Sequence, residues 1–362
     1  MRQPKRVLVV DDSAFMRRLI TEIVESRPEF LVVGKAGDGA DALGKIRQLR
    51  PDIVTLDIEM PGVNGLQALA LIMREMPRPV VMLSAVGSES DNSATIKALE
   101  LGAVDFVRKP SGPVSIDLVT VRAELLRAIA AAAMVRFPHA IPAPRPTRVE
   151  GEITAVHSRQ ENVVPEPARA LVVVAASTGG PKALSEMIAH MPPSLSAAVL
   201  IVQHMPAEFL HSFGRRLAQV NVLPVSVGVA GETIMGGHVY LAPGGRHMAV
   251  AMQDGVPLIR LDDGPSVCGV RPSADPLFAS AARNFGENVI GVVLTGMGRD
   301  GADGLCDVRK AGGGAIVQDR ASSIIYGMPR AALASAGADR VVAPRIVGIA
   351  IADLLTSRRA VA

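Results

Sequence analysis

Residues 7–13 read Val7-Leu8-Val9-Val10-Asp11-Asp12-Ser13. Four apolar residues, three of them β-branched, are too few for a helix and suit a short strand buried on both faces. The two carboxylates and the hydroxyl that close the run mark where the chain leaves the core. The same grammar repeats downstream: Leu31 to Val33, Ile53 to Leu56, Val80 to Leu83 and Val104 to Val107 alternate with amphipathic stretches, and Leu118 to Val135 reads as a closing helix. Five βα units in this order predict a doubly wound parallel sheet over the first ~130 residues.

Beyond that unit the composition changes. Phe137 to Pro167 holds six prolines and several charges without apolar periodicity, the character of an extended linker. The expected division is a first domain over 1–134, a linker over 135–168 and a second domain over 169–362. In the second domain the βα alternation resumes at Leu171 to Ala176, Val199 to Gln203, Val225 to Val227, Val239 to Leu241, Val289 to Thr295 and Ala315 to Gln318. This predicts another mostly parallel, Rossmann-like α/β domain. Turn signals at Gly236-Gly237, Pro243-Gly244-Gly245 and Asp254-Gly255 predict a hairpin inserted between Val222 and Arg260.

A chain of 362 residues has room for two such cores, and 49% hydrophobic with 20% charged residues is the balance of a well-folded globular protein. The 38 basic and 35 acidic residues are scattered, so the net +3 carries no nucleic-acid footprint. Cys268 and Cys306 are too few for a disulfide framework, lie in no metal-ligand spacing and read as buried thiols. No apolar run approaches the ~20 residues of a membrane span, and the residues before Val7 do not form a secretory signal. The expectation is a cytoplasmic protein without membrane insertion.

Ligands of doubly wound sheets bind at the carboxyl ends of the strands. In the first domain those positions hold Asp11 and Asp12, Asp57, Ser84 and Lys109. Neighbouring carboxylates repel one another unless a hard cation sits among them, and Mg²⁺ with retained waters suits such an open oxygen site. Asp57 is placed to attack phosphorus, Ser84 to donate to a phosphoryl oxygen and Lys109 to offset its charge. Singly, each has a plainer reading as a helix cap, a solvated turn or a surface lysine. Together they favour a phosphoacceptor site. VLVVDDS (7–13), TLDIEMPGVNGL (55–66), MLSA (82–85) and DFVRKP (105–110) resemble the motifs of response-regulator receivers over residues 5–130. The resemblance implies a flavodoxin-like (βα)5 fold, Asp57 as phosphorylation site, Asp11, Asp12 and Asp57 as Mg²⁺ ligands, and Ser84, Phe106 and Lys109 as the switch set. One departure is Val63-Asn64-Gly65, where many receivers carry Asp before the Gly; Asn suits the same turn.

In the second domain the strand ends hold Ser177 and His204, with Asp300 in the Gly-rich loop after Val289 to Thr295. These are the types a nucleophile, its base and an orienting carboxylate require. Their order along the chain and the Ala176-Ser177-Thr178-Gly179-Gly180 turn differ from the α/β-hydrolase elbow. On residues alone this turn reads equally as a phosphate-binding helix start, His204 as a structural histidine and Gly296 to Gly301 as a permissive loop. A phosphate turn accounts for neither His204 nor Asp300.

AASTGGP (175–181), VQHMP (202–206), VYLAPGGRHM (239–248), RPSADPLF (271–278), LTGMGRDGADG (294–304) and VQDRASSIIYGMPRAAL (317–333) resemble, in order, the effector domain of protein-glutamate methylesterases. That resemblance implies Ser177 as nucleophile, His204 as base, Asp300 as its partner, the Met297 amide as oxyanion donor and Thr178 assisting beside the nucleophile. Arg271 and Met328 would border the substrate groove. It further implies demethylation of glutamyl esters on methyl-accepting chemoreceptors, glutamine deamidation in some members, and a chemotaxis histidine kinase as phosphodonor. No cofactor is implied for ester hydrolysis, and a resting receiver would cover Ser177. Two rival classes are a non-catalytic, phosphorylation-gated binding regulator, which the complete Ser/His/Asp set disfavours, and a transcriptional regulator. The latter needs a helix-turn-helix and a basic face that the Val-rich βα pattern does not supply.

Overall fold

The computed structural model describes residues 3–84, 89–109, 117–135, 166–220 and 223–359. The N-terminal domain runs β1 (Lys5–Val10), α1 (Ala14–Glu25), β2 (Phe30–Ala36), α2 (Gly39–Leu49), β3 (Ile53–Asp57), α3 (Gly65–Glu75), β4 (Val80–Ser84), α4 (Glu89–Glu100), β5 (Asp105–Arg108) and α5 (Asp117–Met134). Its strands are parallel in the order β2-β1-β3-β4-β5. The expected α/β fold is thus present. The order reverses between β1 and β3, which opens a crevice flanked by Asp11 and Asp57. Helix starts are written locally: Ser13 caps α1 and Asp38 caps α2, and at α3 Asn64 and Gln67 cap each other reciprocally. Asn64 therefore fills the turn position where Asp was the commoner choice. Gly65 beside it is required by space, since a Cβ there would lie 1.9 Å from the Asp57 carbonyl oxygen.

The Pro-rich segment expected as a linker lies, from 136 to 165, outside the described residues, as do Ala85 and Pro110. Glu166 and Ala168 already hydrogen-bond to Gly236 and Ile234 of the second domain.

The C-terminal domain comprises β6 (Leu171–Ala176), α6 (Gly180–Ala189), β7 (Ala198–Gln203), α7 (Ala207–Gln219), β8 (Val225–Val227), β9 (Val239–Leu241), β10 (His247–Gln253), β11 (Val256–Asp262), α8 (Ala274–Phe285), β12 (Val289–Val293), α9 (Ala302–Lys310), β13 (Gly314–Gln318), α10 (Met328–Ala336), β14 (Arg340–Val342) and α11 (Pro344–Arg359). A parallel sheet in the order β14-β13-β12-β6-β7-β9-β8 forms its centre, and β10 and β11 make a separate antiparallel hairpin. The inserted hairpin is where the Asp254-Gly255 turn placed it. β14 answers to no expected strand.

Every residue of β6, β7, β12 and β13 is buried, which is what unbroken apolar runs in a parallel sheet require. The cysteines depart from expectation: Cys268 is exposed and Cys306 half-buried. Both sit on segments outside these buried strands, Cys268 in a turn with φ 53°. Among the described residues no helix is long and apolar enough to cross a membrane.

The two domains share apolar packing. One continuous cluster includes Ile96, Leu99 and Phe106 of the first domain with Phe209, Phe213 and Leu217 of the second. At its centre the rings of Phe106 and Phe209 lie 4.5 Å apart, tilted by 57°. Polar contacts surround them. Arg216 Nε meets Glu100 Oε1 at 2.8 Å, Arg108 pairs with Glu208 at 2.6 Å, and Ser185 Oγ reaches Glu100 Oε1 at 3.4 Å.

Candidate functional site

At the crevice of the N-terminal sheet, Asp11 and Asp57 are buried and Asp12 is exposed. Carboxylate oxygens of all three lie within 4.8 Å of one another. Lys109 Nζ stands 2.8 Å from Asp11 Oδ2 and 2.7 Å from Asp57 Oδ2. The Lys109 ammonium thus makes a charge-assisted hydrogen bond to each of these carboxylates. Burial pushes the Asp57 carboxyl up to about 6, although Lys109 pulls it down. One lysine cannot balance three carboxylates. A hard divalent cation fits this donor set: three carboxylates within reach of one another, more negative charge than Lys109 offsets, and one side exposed toward water. Thr95 donates to Ser84 Oγ at 3.0 Å, and the Ser84 carbonyl accepts the Lys109 amide at 2.8 Å. Ser84, Lys109 and Asp57 are therefore on adjoining strand ends. Phe106 points the other way, into the domain interface.

The second constellation lies at the ends of three adjacent strands. Ser177 follows β6, His204 follows β7, and the loop after β12 carries Asp300. His204 Nε2 meets Asp300 Oδ2 at 2.7 Å. Asp300 is held in turn by the Ser273 hydroxyl on Oδ1 at 2.5 Å and by the Ala274 amide on Oδ2 at 2.8 Å. Those donors are the N-cap and the first residue of α8, so the carboxylate also lies at the positive end of a helix dipole. Burial alone would raise the Asp300 carboxyl, yet the His204 ring, Ser273 and Ala274 outweigh it and hold it below the usual carboxylate value. An ionised carboxylate only accepts, which assigns the His204 proton to Nε2 and leaves Nδ1 with the basic lone pair.

Ser177 is 5% exposed and shares a cavity of about 50 Å³ with His204, Thr178, Gln203 and, from the first domain, Asp105, Phe106 and Arg127. Among the described residues Ser177 Oγ makes no hydrogen bond. Thr178 Oγ1 instead donates to Asp105 Oδ2 across the interface at 3.1 Å. Gly296 packs directly on Ser177, since a Cβ on it would approach Ser177 Cβ to 2.7 Å. The Gly296 carbonyl accepts the Met328 amide at 2.8 Å. In a trans peptide the Met297 N–H then points to the opposite side, and among the described residues it has no protein acceptor.

Of the two residues that the resemblance places at the substrate groove, Arg271 is exposed and Met328 is not. The Arg271 guanidinium is engaged by the carbonyls of Asp263 and Gly264, and Met328 is fully buried beneath Gly296. Conversely, Ser273, Gln203 and Thr295 belong to the site without having been singled out. Thr295 Oγ1 donates to the Thr178 carbonyl at 3.0 Å. Ser273 had one legible signal, its position just before an apolar helical run.

A phosphoacceptor-type α/β domain packed on an α/β domain with a Ser/His/Asp constellation defines a two-domain response regulator with a hydrolase-like effector. Comparison with known proteins agrees: the family described as response regulator receiver domain matches residues 7–119, and that described as CheB methylesterase matches residues 172–351. Two relatives, from Pyrococcus abyssi (strain GE5 / Orsay) and Symbiobacterium thermophilum, are each named protein-glutamate methylesterase/protein-glutamine glutaminase. The first is 46% identical over 93% of this chain and 90% of its own length, the second 46% over 95% of each. The crystal structure of the Thermotoga maritima CheB methylesterase catalytic domain is 34% identical, covers 51% of this chain and 98% of its own, and superposes with a TM-score of 0.50. The chain belongs to the protein-glutamate methylesterase/protein-glutamine glutaminase family.

Proposed function

We propose that the chain is a phosphorylation-activated serine hydrolase that demethylates glutamyl methyl esters, and deamidates glutamines, on cytoplasmic regions of methyl-accepting chemoreceptors. The observation that carries this reading is the 2.7 Å His204–Asp300 contact beside Ser177, with Asp300 fixed on the first turn of α8. In the proposed reaction Ser177 Oγ attacks the ester carbonyl carbon as His204 Nδ1 takes its proton. Asp300 supports the resulting imidazolium. The oxyanion would be met by the Met297 amide, whose peptide Met328 orients, with Thr178 Oγ nearby. Collapse of the tetrahedral intermediate expels methanol, which takes the proton from His204. Water then repeats the sequence to release glutamate, and no cofactor enters these steps.

The assigned domains are a receiver over 1–134, a linker over 135–168 and a catalytic domain over 169–362. Asp57 is the proposed phosphorylation site, served by a chemotaxis histidine kinase in the cytoplasm, with Asp11, Asp12 and Asp57 holding Mg²⁺. Bound there, the ion would offset the carboxylate charge and that of the incoming phosphoryl group. Asp105 and Phe106 close over the Ser177 cavity in this conformation, which supports a resting state that excludes substrate. Ser84 and Lys109 would sense the phosphoryl group, and Phe106, on the same strand as Asp105, would transmit the change. The decisive measurement is methanol release from a methylated receptor fragment by the purified chain, with and without a small acyl phosphate and Mg²⁺. A phosphodonor-dependent rise is expected; no release in either condition would refute the assignment.

A further inference from the structure

We propose that Gln203 is a positioning residue that sets the nucleophile against its base, an inference that rests on the hydrolase reading above. β7 is otherwise apolar, and Gln203 at its end is 2% exposed. Burying an amide is unfavourable unless its polar atoms are paired. Here only half of the amide is. Gln203 Nε2 donates to the carbonyls of Ser177 and His204, each at 3.0 Å, whereas Oε1 is buried without a partner.

The reason lies in the sheet. β6 and β7 pair up to Ala176 and Gln203, and the His204 amide makes one further bond to the Ala176 carbonyl at 3.0 Å. Beyond that the strands part: β6 turns into α6 through Gly179, with φ 78°, and β7 leaves through Pro206 into α7. Ser177 thus stands just past the last backbone rung, which the His204 amide makes. Gln203 supplies the missing rung with its side chain. Two carbonyl oxygens demand a donor, so the amide cannot be reversed. Gly180 leaves room for it, because a Cβ there would lie 2.0 Å from Oε1. A methionine would fill the volume and remove the orphaned Oε1, but it would strip this donor from both carbonyls, of which that of Ser177 keeps the Gly180 amide at 2.7 Å. What the amide adds is a fixed relation between the peptide units of Ser177 and His204, and angstrom-scale misplacement of such groups reduces turnover steeply.

The test uses the full chain, phosphorylated with a small acyl phosphate, carrying Gln203→Met or the isosteric Gln203→Glu, which sets a carboxylate against the two carbonyls. Methanol release gives kcat and KM, a fluorophosphonate reports Ser177 reactivity, and thermal melting reports the fold. Both variants should lose about 10- to 100-fold in kcat and in fluorophosphonate labelling, with KM within twofold and Gln203→Met melting no more than a few degrees below the parent. Unchanged kcat and labelling in a folded Gln203→Met would overturn the proposal. So would a loss of activity that unfolding at the assay temperature accounts for in both variants, which means an ordinary structural role. Labelling remains informative if the parent protein releases no methanol, so failure of the substrate assignment and failure of this inference read differently.

Discussion

Replacing Glu100 by Ala tests whether domain contact suppresses the resting enzyme. Glu100 ends α4 and receives Arg216 Nε from α7 at 2.8 Å and Ser185 Oγ from α6 at 3.4 Å. The Glu100 side chain is 18% exposed and that of Arg216 43%, so solvent screens the pair substantially. Partly exposed ion pairs of this kind contribute about 1 kcal/mol, and the long hydroxyl contact adds little. A closed-to-open equilibrium relieved of about 1 kcal/mol shifts roughly fivefold. If the closed state dominates at rest, the variant should release methanol about fivefold faster than the parent when unphosphorylated, and no faster when phosphorylated. Raising ionic strength should speed the unphosphorylated parent more than the variant, since screening already does part of what the substitution does. An unchanged or reduced resting rate would refute the occlusion argument and make the receiver an activator that supplies contacts to the effector.

Ser177→Ala should lower turnover by roughly a million-fold while leaving phosphorylation of Asp57 intact, checked by methanol release and phosphate incorporation in the same preparation. Asp57→Asn should incorporate no phosphate and retain only the resting rate; chelating Mg²⁺ should block incorporation in the parent without lowering that resting rate. Asp300 has a carboxyl held below its unfolded value, so its contribution to stability is complete above the unfolded value and is lost as pH falls through the folded one. Urea unfolding as a function of pH should therefore show a steeper acid loss for the parent than for Asp300→Asn.

Parallel strands covered on both faces are written as unbroken apolar runs, and this makes β6, with the sequence Leu171-Val172-Val173-Val174-Ala175-Ala176, legible from sequence. β14 is not legible for the complementary reason: Arg340–Val342 is a three-residue edge strand, with Arg340 and Val341 exposed and Val342 half-buried. Ser177, His204 and Asp300 stand out because a reactive type at a strand end breaks an apolar pattern. Gln203 breaks the same pattern, yet a residue that acts by donating to backbone carbonyls is not marked by its type; only the folded distances identify it. The contact of Asp105 with Thr178 is further removed still, because it depends on how two domains dock and neither domain's periodicity encodes that.

If the domain contact gates the site as proposed, the apolar cluster shared by the domains gives that gate a thermal character. Separating Phe106 from Phe209 and its neighbours wets hydrocarbon surface, so opening carries a positive heat-capacity change. Such a contact is held near room temperature mainly by the entropy of water and loosens on cooling. An unphosphorylated population in the cold would contain more open molecules than its ionic contacts alone dictate. Under the proposed function, resting hydrolysis would then start from a higher baseline at low temperature relative to the phosphorylated rate, with the phosphoryl signal commanding a narrower range.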